Sequence, residues 1–499
     1  MRTATLIIND EVNLKIAGLD LDTRKYLVKK FKYEIPYARH MPAVKLGRWD
    51  GKVAFFQLGG STYINLLPDI IPILEEFNYD IEIDDRRTYQ TKFEFYPIKE
   101  DTFFHIKWPG NHPMEGQPIR LRDHQMEVID NFLRNPQSIQ EVATGAGKTL
   151  ITAALSYLVQ EYGRSIVIVP NKSLVEQTEE DYKNLGLDVG VFYGGRKEFG
   201  RQHTICTWQS LNSLMKKSKS VQGWTELGEK GMPTIDEFLE DVVCVMVDEV
   251  HSAKADALKT MLTGPMAHIP LRWGLTGTVP KADFEFVSIY SSLGPVINQV
   301  SAKSLQDKGI LSNCHINIIQ LQDHAEHTNY QSELKYLLGN EDRLSTIAGL
   351  VEKINETGNT LVLVDRVAAG KDIVNKINLI AGENAAVFVS GDTKTTKRKE
   401  HYDEVSESDN RIIVATYGVA AVGINIPRIF NLVLIEPGKS FVRVIQSIGR
   451  GVRVAEDKDH VEIWDITSSC KFAKRHLTQR KKFYKEAQYP FDIEKMEWK

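Results

Sequence analysis

The sequence predicts an α/β protein made of two successive parallel-sheet layers, preceded by a small α+β unit. Three observations carry this reading. Short, β-branched, nearly all-apolar runs alternate with helical stretches, and they do so twice; such runs suit parallel strands covered on both faces. The chain is 499 residues long, enough for about three domains. The first hundred or so residues lack this alternation and show mixed, shorter patterns instead.

Within the N-terminal unit, Val44 to Phe56 alternates around Asp50-Gly51, which predicts a tight hairpin. Leu66 to Phe77 predicts an amphipathic helix and Tyr79 to Ile83 a strand. Trp108 to Pro118, rich in Pro, Gly and His, is the predicted link to the first layer. In that layer Ser165–Val169 and Val242–Val247 read as central strands and Thr149–Gln160 as a helix. Lys216 to Asp241 mixes charge, Gly and Pro and reads as an insertion. A second junction falls near Val300, ahead of Cys314–Ile319. Thr360–Val364, Arg411–Ala415 and Leu432–Ile435 then repeat the strand pattern around a helical stretch, Lys371–Ile380. The expected domains are 1–110, 111–300 and 301–499.

Lys and Arg number 62 against 66 Asp and Glu, a net charge of −4. That excludes a wholly basic chain, so any nucleic-acid contact comes from a local basic surface. The four cysteines, Cys206, Cys244, Cys314 and Cys470, are far apart and form no CxxC pair. A zinc ribbon or disulfide framework is not expected, and a reducing compartment fits. Acids interrupt the apolar N-terminus and no run of 18 apolar residues occurs. Neither a signal peptide nor a membrane span is expected.

Val142-Ala-Thr-Gly-Ala-Gly-Lys-Thr149 follows an apolar stretch and opens a helical one, the context of a phosphate-binding loop. Thr144, Gly145, Ala146 and Gly147 would turn backbone N–H groups toward phosphates at a helix N-terminus. Lys148 would reach the β- and γ-phosphates and the Thr149 hydroxyl would hold Mg²⁺. Val142 stands where a full GxxxxGK[ST] loop has its first Gly; the competing reading is a Gly-rich turn. One hundred residues on, Val243 to His251 places Asp248 and Glu249 at the end of a buried strand, where ligands bind in open α/β sheets. Asp248 would bind Mg²⁺, and Glu249 would orient and deprotonate the attacking water.

Together Val142–Thr149, with its Gly-x-Gly-Lys-Thr end, and the DExH motif resemble the AxxGxGKT and DExH motifs of superfamily 2 helicases and translocases, which often lack the first Gly. Further motifs follow in the family's order: Leu121–Gln125 on the adenine side, Val169–Gln177, Thr207–Gln209, Leu275–Thr278, Val389–Gly391, Ala415 to Pro427 and Gln446–Arg453. Asn425 stands where the family more often has Asp. The N-terminal unit with Gly47-Arg-Trp-Asp-Gly51, joined to this core without a large C-terminal domain, is similar to the UvsW-type helicases of tailed phages over nearly the whole chain.

The resemblance implies two tandem RecA-like parallel-sheet domains behind a small N-terminal α+β accessory domain, with ATP and Mg²⁺ as cofactors and ATP in the cleft between layers. Arg122, Gln125 and Gly423 join the phosphate loop as nucleotide contacts. Arg450 and Arg453 act as arginine fingers, and Gln446 lies at the γ-phosphate. His251, Thr276 and Thr278 couple the site to the interface between layers. Pro170, Asn171, Thr207, Gln209, Ser390, Gly391 and Thr416 form a nucleic-acid track on the face away from the ATP edge. For each Ser or Thr the competing reading is a turn or helix cap. Trp208 reads as a core residue.

A last feature is the run Lys471 to Lys485, with Lys471, Lys474, Arg475, Arg480, Lys481, Lys482 and Lys485 and no acid. It marks either a solvated helix face or a DNA-backbone contact. The implied activity is ATP-driven remodelling of branched DNA by branch migration, fork regression, or unwinding of R-loops and D-loops. Partners would be forked or branched duplexes, single strands, and RNA in RNA–DNA hybrids, with a monomer in the cytoplasm, the host's if phage-encoded. The alternatives are an RNA helicase and the motor subunit of a restriction system.

Overall fold

The computed structural model describes residues 2–87, 92–110, 114–221, 233–250, 255–277, 279, 283–391, 393, 395–419, 426, 428–438 and 457–498. Residues 1–142 with 147–299 form one compact unit, and residues 143–146 with 300–499 form the other.

The first unit opens with strands β1 (Arg2–Ile8), β2 (Asn13–Ala17), β3 (Lys32–Glu34), β4 (Lys52–Ala54), β5 (Ser61–Tyr63) and β6 (Tyr79–Asp85). Four of them form a sheet in the order β5-β2-β1-β6. Its apolar face packs on helices Leu21–Lys30 and Leu67–Glu76, and Phe284 and Val287 of the later helix Asp283–Leu293 enter the same core. The N-terminal sheet and the layer that follows therefore share buried side chains.

The predicted tight hairpin at Asp50-Gly51 does not form. Strand β4 pairs with β3 through Glu34↔Lys52, leaving residues 35–51 as a long connection. Pro42 starts a helical turn over Pro42–Lys45, as its fixed φ favours at a first helical position. Asp50 instead accepts the Lys52 N–H and pairs with Lys32.

The first layer contains β7 (Gln137–Val142), β8 (Arg164–Val169), β9 (Val189–Tyr193), β10 (Arg196–Lys197, antiparallel to β9), β11 (His203–Thr207), β12 (Val242–Asp248), β13 (Leu271–Thr276) and β14 (Val296–Val300). They are ordered β10-β9-β11-β8-β12-β13-β7-β14. Strand β12 has all seven residues buried, as a central strand covered on both faces requires. The registers Thr207↔Val169, Asp248↔Leu275 and Thr276↔Glu141 bring the carboxyl ends of β11, β8, β12, β13 and β7 to one edge.

The second unit holds β15 (Asn313–Leu321), β16 (Thr360–Val364), β17 (Ala386–Val389), β18 (Ile412–Thr416), β19 (Asn431–Ile435), β20 (His460–Ser468) and β21 (Phe491–Met496). The order is β17-β18-β16-β19-β20-β15-β21 and every recorded pairing is parallel. Helices Glu341–Asn355 and Val367–Ala381 cover this sheet through Leu344, Ile347, Val351, Ile373 and Ile377.

The basic run forms the helix Lys471–Glu486. Arg480 does not belong with its surface cations. It is fully buried and donates to both Asp465 carboxylate oxygens at 2.8 and 2.9 Å. Beside Asp465 the guanidinium pKa lies above its ordinary value despite burial. No helix among the described residues is long and apolar enough to cross a membrane.

Candidate ATP site and nucleic-acid interface

The phosphate loop connects β7 to the helix Lys148–Val159. Gly145 and Gly147 have φ of +89° and +83°, values that L side chains rarely adopt. A Cβ on Gly147 would come within 2.5 Å of the Gln125 amide nitrogen, so this glycine also admits the Gln125 side chain against the loop. The Gln125 oxygen accepts the Arg122 N–H at 2.9 Å, at the start of the helix Asp123–Arg134. Arg122 is exposed.

Lys148 is buried, with Nζ 2.7 Å from Glu249 Oε1 and 3.3 Å from the Val142 carbonyl oxygen. Asp248 is buried at the end of β12 and its carboxylate accepts the Glu249 N–H at 2.8 Å. Glu249 takes a φ of +52°, a conformation seldom used by non-glycine residues. Its Oε2 accepts the Gly277 N–H at 3.3 Å, immediately after Thr276, which is buried at the end of β13. One carboxylate thus ties the end of β13 to the lysine of the phosphate loop.

Thr149 donates its hydroxyl proton to Asp181. Burial raises the Asp181 pKa to about 6, against the lowering effect of the Thr149 hydrogen bond. A hydroxyl that donates in this way keeps its lone pairs for a cation. Thr149 and Asp248 therefore fit Mg²⁺, which takes few protein ligands and retains waters. Sequence reasoning missed Asp181 because it sits in Glu179-Glu180-Asp181, a stretch that looks like a solvated helix face. Tyr182 next to it is fully buried and bonded to Ser156 at 2.6 Å, which turns Asp181 toward the loop.

A second site occupies the same edge of the sheet, at the ends of β8, β9 and β11. There a cleft of about 600 Å³ is lined by Pro170, Asn171, Thr207 and Gln209 together with Lys172, Tyr193, Lys197 and Lys217. Four of the sequence-predicted nucleic-acid residues are thus brought together. They stand on the edge that carries the phosphate loop, along the strand order from it, and not on the face away from it. Asn171 Oδ1 caps the helix Lys172–Asn184 through the Leu174 N–H at 3.0 Å, and Gln209 Nε2 donates to the Pro170 carbonyl at 3.3 Å. Thr207 bonds Ser210 at 2.9 Å. The turn or cap role raised for Thr207 is therefore real, Asn171 caps a helix as well, and both coexist with the cleft.

Lys172 Nζ lies 5.7 Å from the centroid of the Tyr193 ring. The cleft lysines come from separate elements, so no charge run in the sequence announced them. Trp208 packs partly buried against the core of the layer.

In the second unit Ser390 is buried at the end of β17, where its N–H donates to Thr393 Oγ1 at 3.0 Å, and Gly391 follows in the exposed turn. Thr416 closes β18 opposite Val364. His251, Thr278, Gly423, Gln446, Arg450 and Arg453 lie outside the described residues.

Comparison with known proteins matches two families. The one described as type III restriction enzyme, res subunit, covers residues 118–281, and the helicase conserved C-terminal domain covers residues 342–455. The ATP-dependent DNA helicase uvsW of Enterobacteria phage T4 is 25% identical over 474 residues, 91% of this chain and 88% of its own length. The DNA 3'-5' helicase XPB of Kineococcus radiotolerans is 24% identical over 387 residues, 75% of this chain and 64% of the relative. Among solved structures, the ATP-dependent Type ISP restriction-modification enzyme LlaBIII bound to DNA shares the fold. It does so with a TM-score of 0.58 and 14% identity, over 86% of this chain and 34% of that one.

Proposed function

The chain belongs to the superfamily 2 helicases and is an ATP-dependent DNA helicase; from that premise we propose that it remodels branched DNA, by branch migration, fork regression or the unwinding of R-loops and D-loops. The observation that carries the finer reading is the extent of the likeness to the phage helicase, 91% of this chain and 88% of the relative. So long a match takes in residues of the N-terminal unit as well as the motor. Sharing a core with the helix Asp283–Leu293, that unit is built into the first layer, which suits an accessory surface for a duplex arm beside the motor.

In this reading Lys148 holds the β- and γ-phosphates and Glu249 orients and deprotonates the attacking water. Mg²⁺ would be held by Thr149 and Asp248 and would neutralise charge on the phosphate oxygens. Gln125 and Arg122 border the nucleotide, and a nucleotide contact is assigned to Gly423 on the family motif alone. Gln446, Arg450 and Arg453 supply the γ-phosphate contact and the fingers, for which the family motif is the support. The cleft between Pro170, Asn171, Thr207 and Gln209 takes a strand by its phosphates, with no sequence reading; Ser390, Gly391 and Thr416 continue that role in the second layer. Coupling is assigned to His251, Thr276 and Thr278, and Thr276 is supported by the Glu249–Gly277 hydrogen bond beside it.

The experiment is ATP-driven strand exchange on a panel: mobile four-way junctions, forks, R-loops, linear duplexes with single-stranded tails, and double-stranded RNA. Branched DNA should be converted fastest. Faster conversion of RNA duplexes than of forks favours the RNA-helicase alternative. Translocation on linear duplex with no conversion of junctions favours the restriction-motor alternative.

A further inference from the structure

We propose that the helix Lys471–Glu486 carries a second, sequence-independent grip on the nucleic-acid backbone, separate from the cleft in the first layer. The proposal rests on reading the chain as a nucleic-acid motor.

The rotation of this helix is set on its inner side. Ala473, His476, Leu477, Arg480 and Tyr484 are buried. Arg480 is clamped to Asp465 and to the Gly438 carbonyl at 2.7 Å, and the Tyr484 hydroxyl donates to Asp465 at 2.7 Å. At the start of the helix the Phe472 and Ala473 N–H groups donate to Glu333 at 3.0 and 2.7 Å. With that side fixed, Lys471, Lys474, Arg475, Lys482 and Lys485 all face outward, and all five are exposed. At about 100° per residue they fall within an arc of roughly 100° and span about 21 Å of helix. Lys481 is half-buried and lies off this stripe.

Lys471 and Arg475 lie 5.8 and 5.9 Å from the centroid of the Phe472 ring, but the described residues supply the stripe with no counter-charge. Among the described residues none of the five makes an ion pair with a carboxylate, whereas Arg87, Arg196 and Arg428 each pair with two. Lys471 and Lys474 also sit in the first turn, where the helix dipole disfavours cations. Lys471 and Arg475, four residues apart, repel each other. In a chain with net charge −4, such a surface costs the isolated fold stability. A phosphate backbone offsets that cost by exchanging its condensed counterions for these side chains. Lysine is a point charge without a planar hydrogen-bonding fork, so four lysines and one arginine suit phosphates and not base edges.

The test compares wild-type protein with K474A/R475A/K482A/K485A, and with K474R/K482R/K485R as the charge-conserving control. Binding of a fluorescein-labelled fork and of an unrelated duplex is titrated at several salt concentrations, with ATP turnover measured without DNA. Alanine favours helix and all four positions are exposed, so the melting temperature of the variant should not fall. The expected result is weaker binding to both DNAs by the same factor. The log–log salt slope should be shallower by about 0.9 per lost duplex contact, or about 3 to 4 in all. DNA-independent turnover should be unchanged, and the arginine control should keep the wild-type slope. Equal affinity and slope in the alanine variant would overturn the stripe and leave the motor reading intact. A wild type that binds no DNA would overturn both. Loss of binding to vesicles containing anionic lipid, with DNA binding unchanged, would overturn the assigned partner.

Discussion

Lys148 Nζ and Glu249 Oε1 stand 2.7 Å apart, with only 9% and 14% of their side chains exposed. The lysine that follows the phosphate loop and the carboxylate that follows β12 are therefore one unit, made possible by the adjacent carboxyl ends of β7, β13 and β12. Glu249 reaches this position only through its positive φ, and its other oxygen is held by Gly277. The lysine and the Gly277 N–H together hold both oxygens of the carboxylate in place.

Replacing Lys148 with Ala should remove hydrolysis, with a loss of at least about 10²-fold, the scale seen when a fixed electrostatic partner of a transition state is deleted. It also leaves Glu249 without its cation. DNA-stimulated phosphate release checks this, and normal turnover in a folded Lys148→Ala protein would remove the phosphate-loop assignment.

Glu249→Gln keeps the size and the hydrogen bond from Gly277 but cannot take a proton. Nucleotide affinity should change little while turnover falls by about 10²–10⁴, the usual contribution of a general base. Equilibrium binding of a fluorescent ATP analogue beside steady-state turnover separates the two. Loss of nucleotide binding would make Glu249 a binding residue.

Arg480→Met tests the second layer. It strands the fully buried Asp465 carboxylate without its cation, which costs about 3–5 kcal/mol for a broken buried pair. The melting temperature should drop sharply. The double variant Arg480→Met/Asp465→Leu should recover much of the loss, because both charges are then gone. If Arg480 were a surface DNA contact, the single change would leave stability untouched.

His203 gives the pH dependence. Burial in β11 pushes its pKa down to about 4, with Nδ1 2.7 Å from Ser165 Oγ. The folded state binds this proton less readily than the unfolded chain, whose His has a pKa near 6.5. Stability is therefore fully present above about pH 6.5 and is lost as pH falls toward 4, by about 2–3 kcal/mol. Melting curves from pH 7.5 to 4.5 should show a decline that His203→Gln shallows.

Much of this was legible in the chain because it is local. Thr360–Val364 is β16 to the residue, since a nearly all-apolar run with alternating β-branched residues, bounded by polar ones, has few other solutions. The glycine-rich loop between β7 and the helix Lys148–Val159, and the strand end at Asp248, were readable for the same reason. What was not legible depends on contacts across the chain. Arg480 looks like its neighbouring lysines until Asp465 of β20 is placed under it. Asp50-Gly51 signals a hairpin, yet β4 finds its partner in β3, far upstream. Lys172, Lys197 and Lys217 converge only once β8, β9 and β11 are side by side.

An ATP-driven motor on branched DNA is recognised by the steady-state ATPase rate of wild-type protein with and without a mobile four-way junction, beside Glu249→Gln. Strong stimulation by the junction is expected, with weaker stimulation by linear duplex of equal length and near-background turnover in the variant under both conditions. Equal rates with junction, linear duplex and no DNA would rule out such a motor.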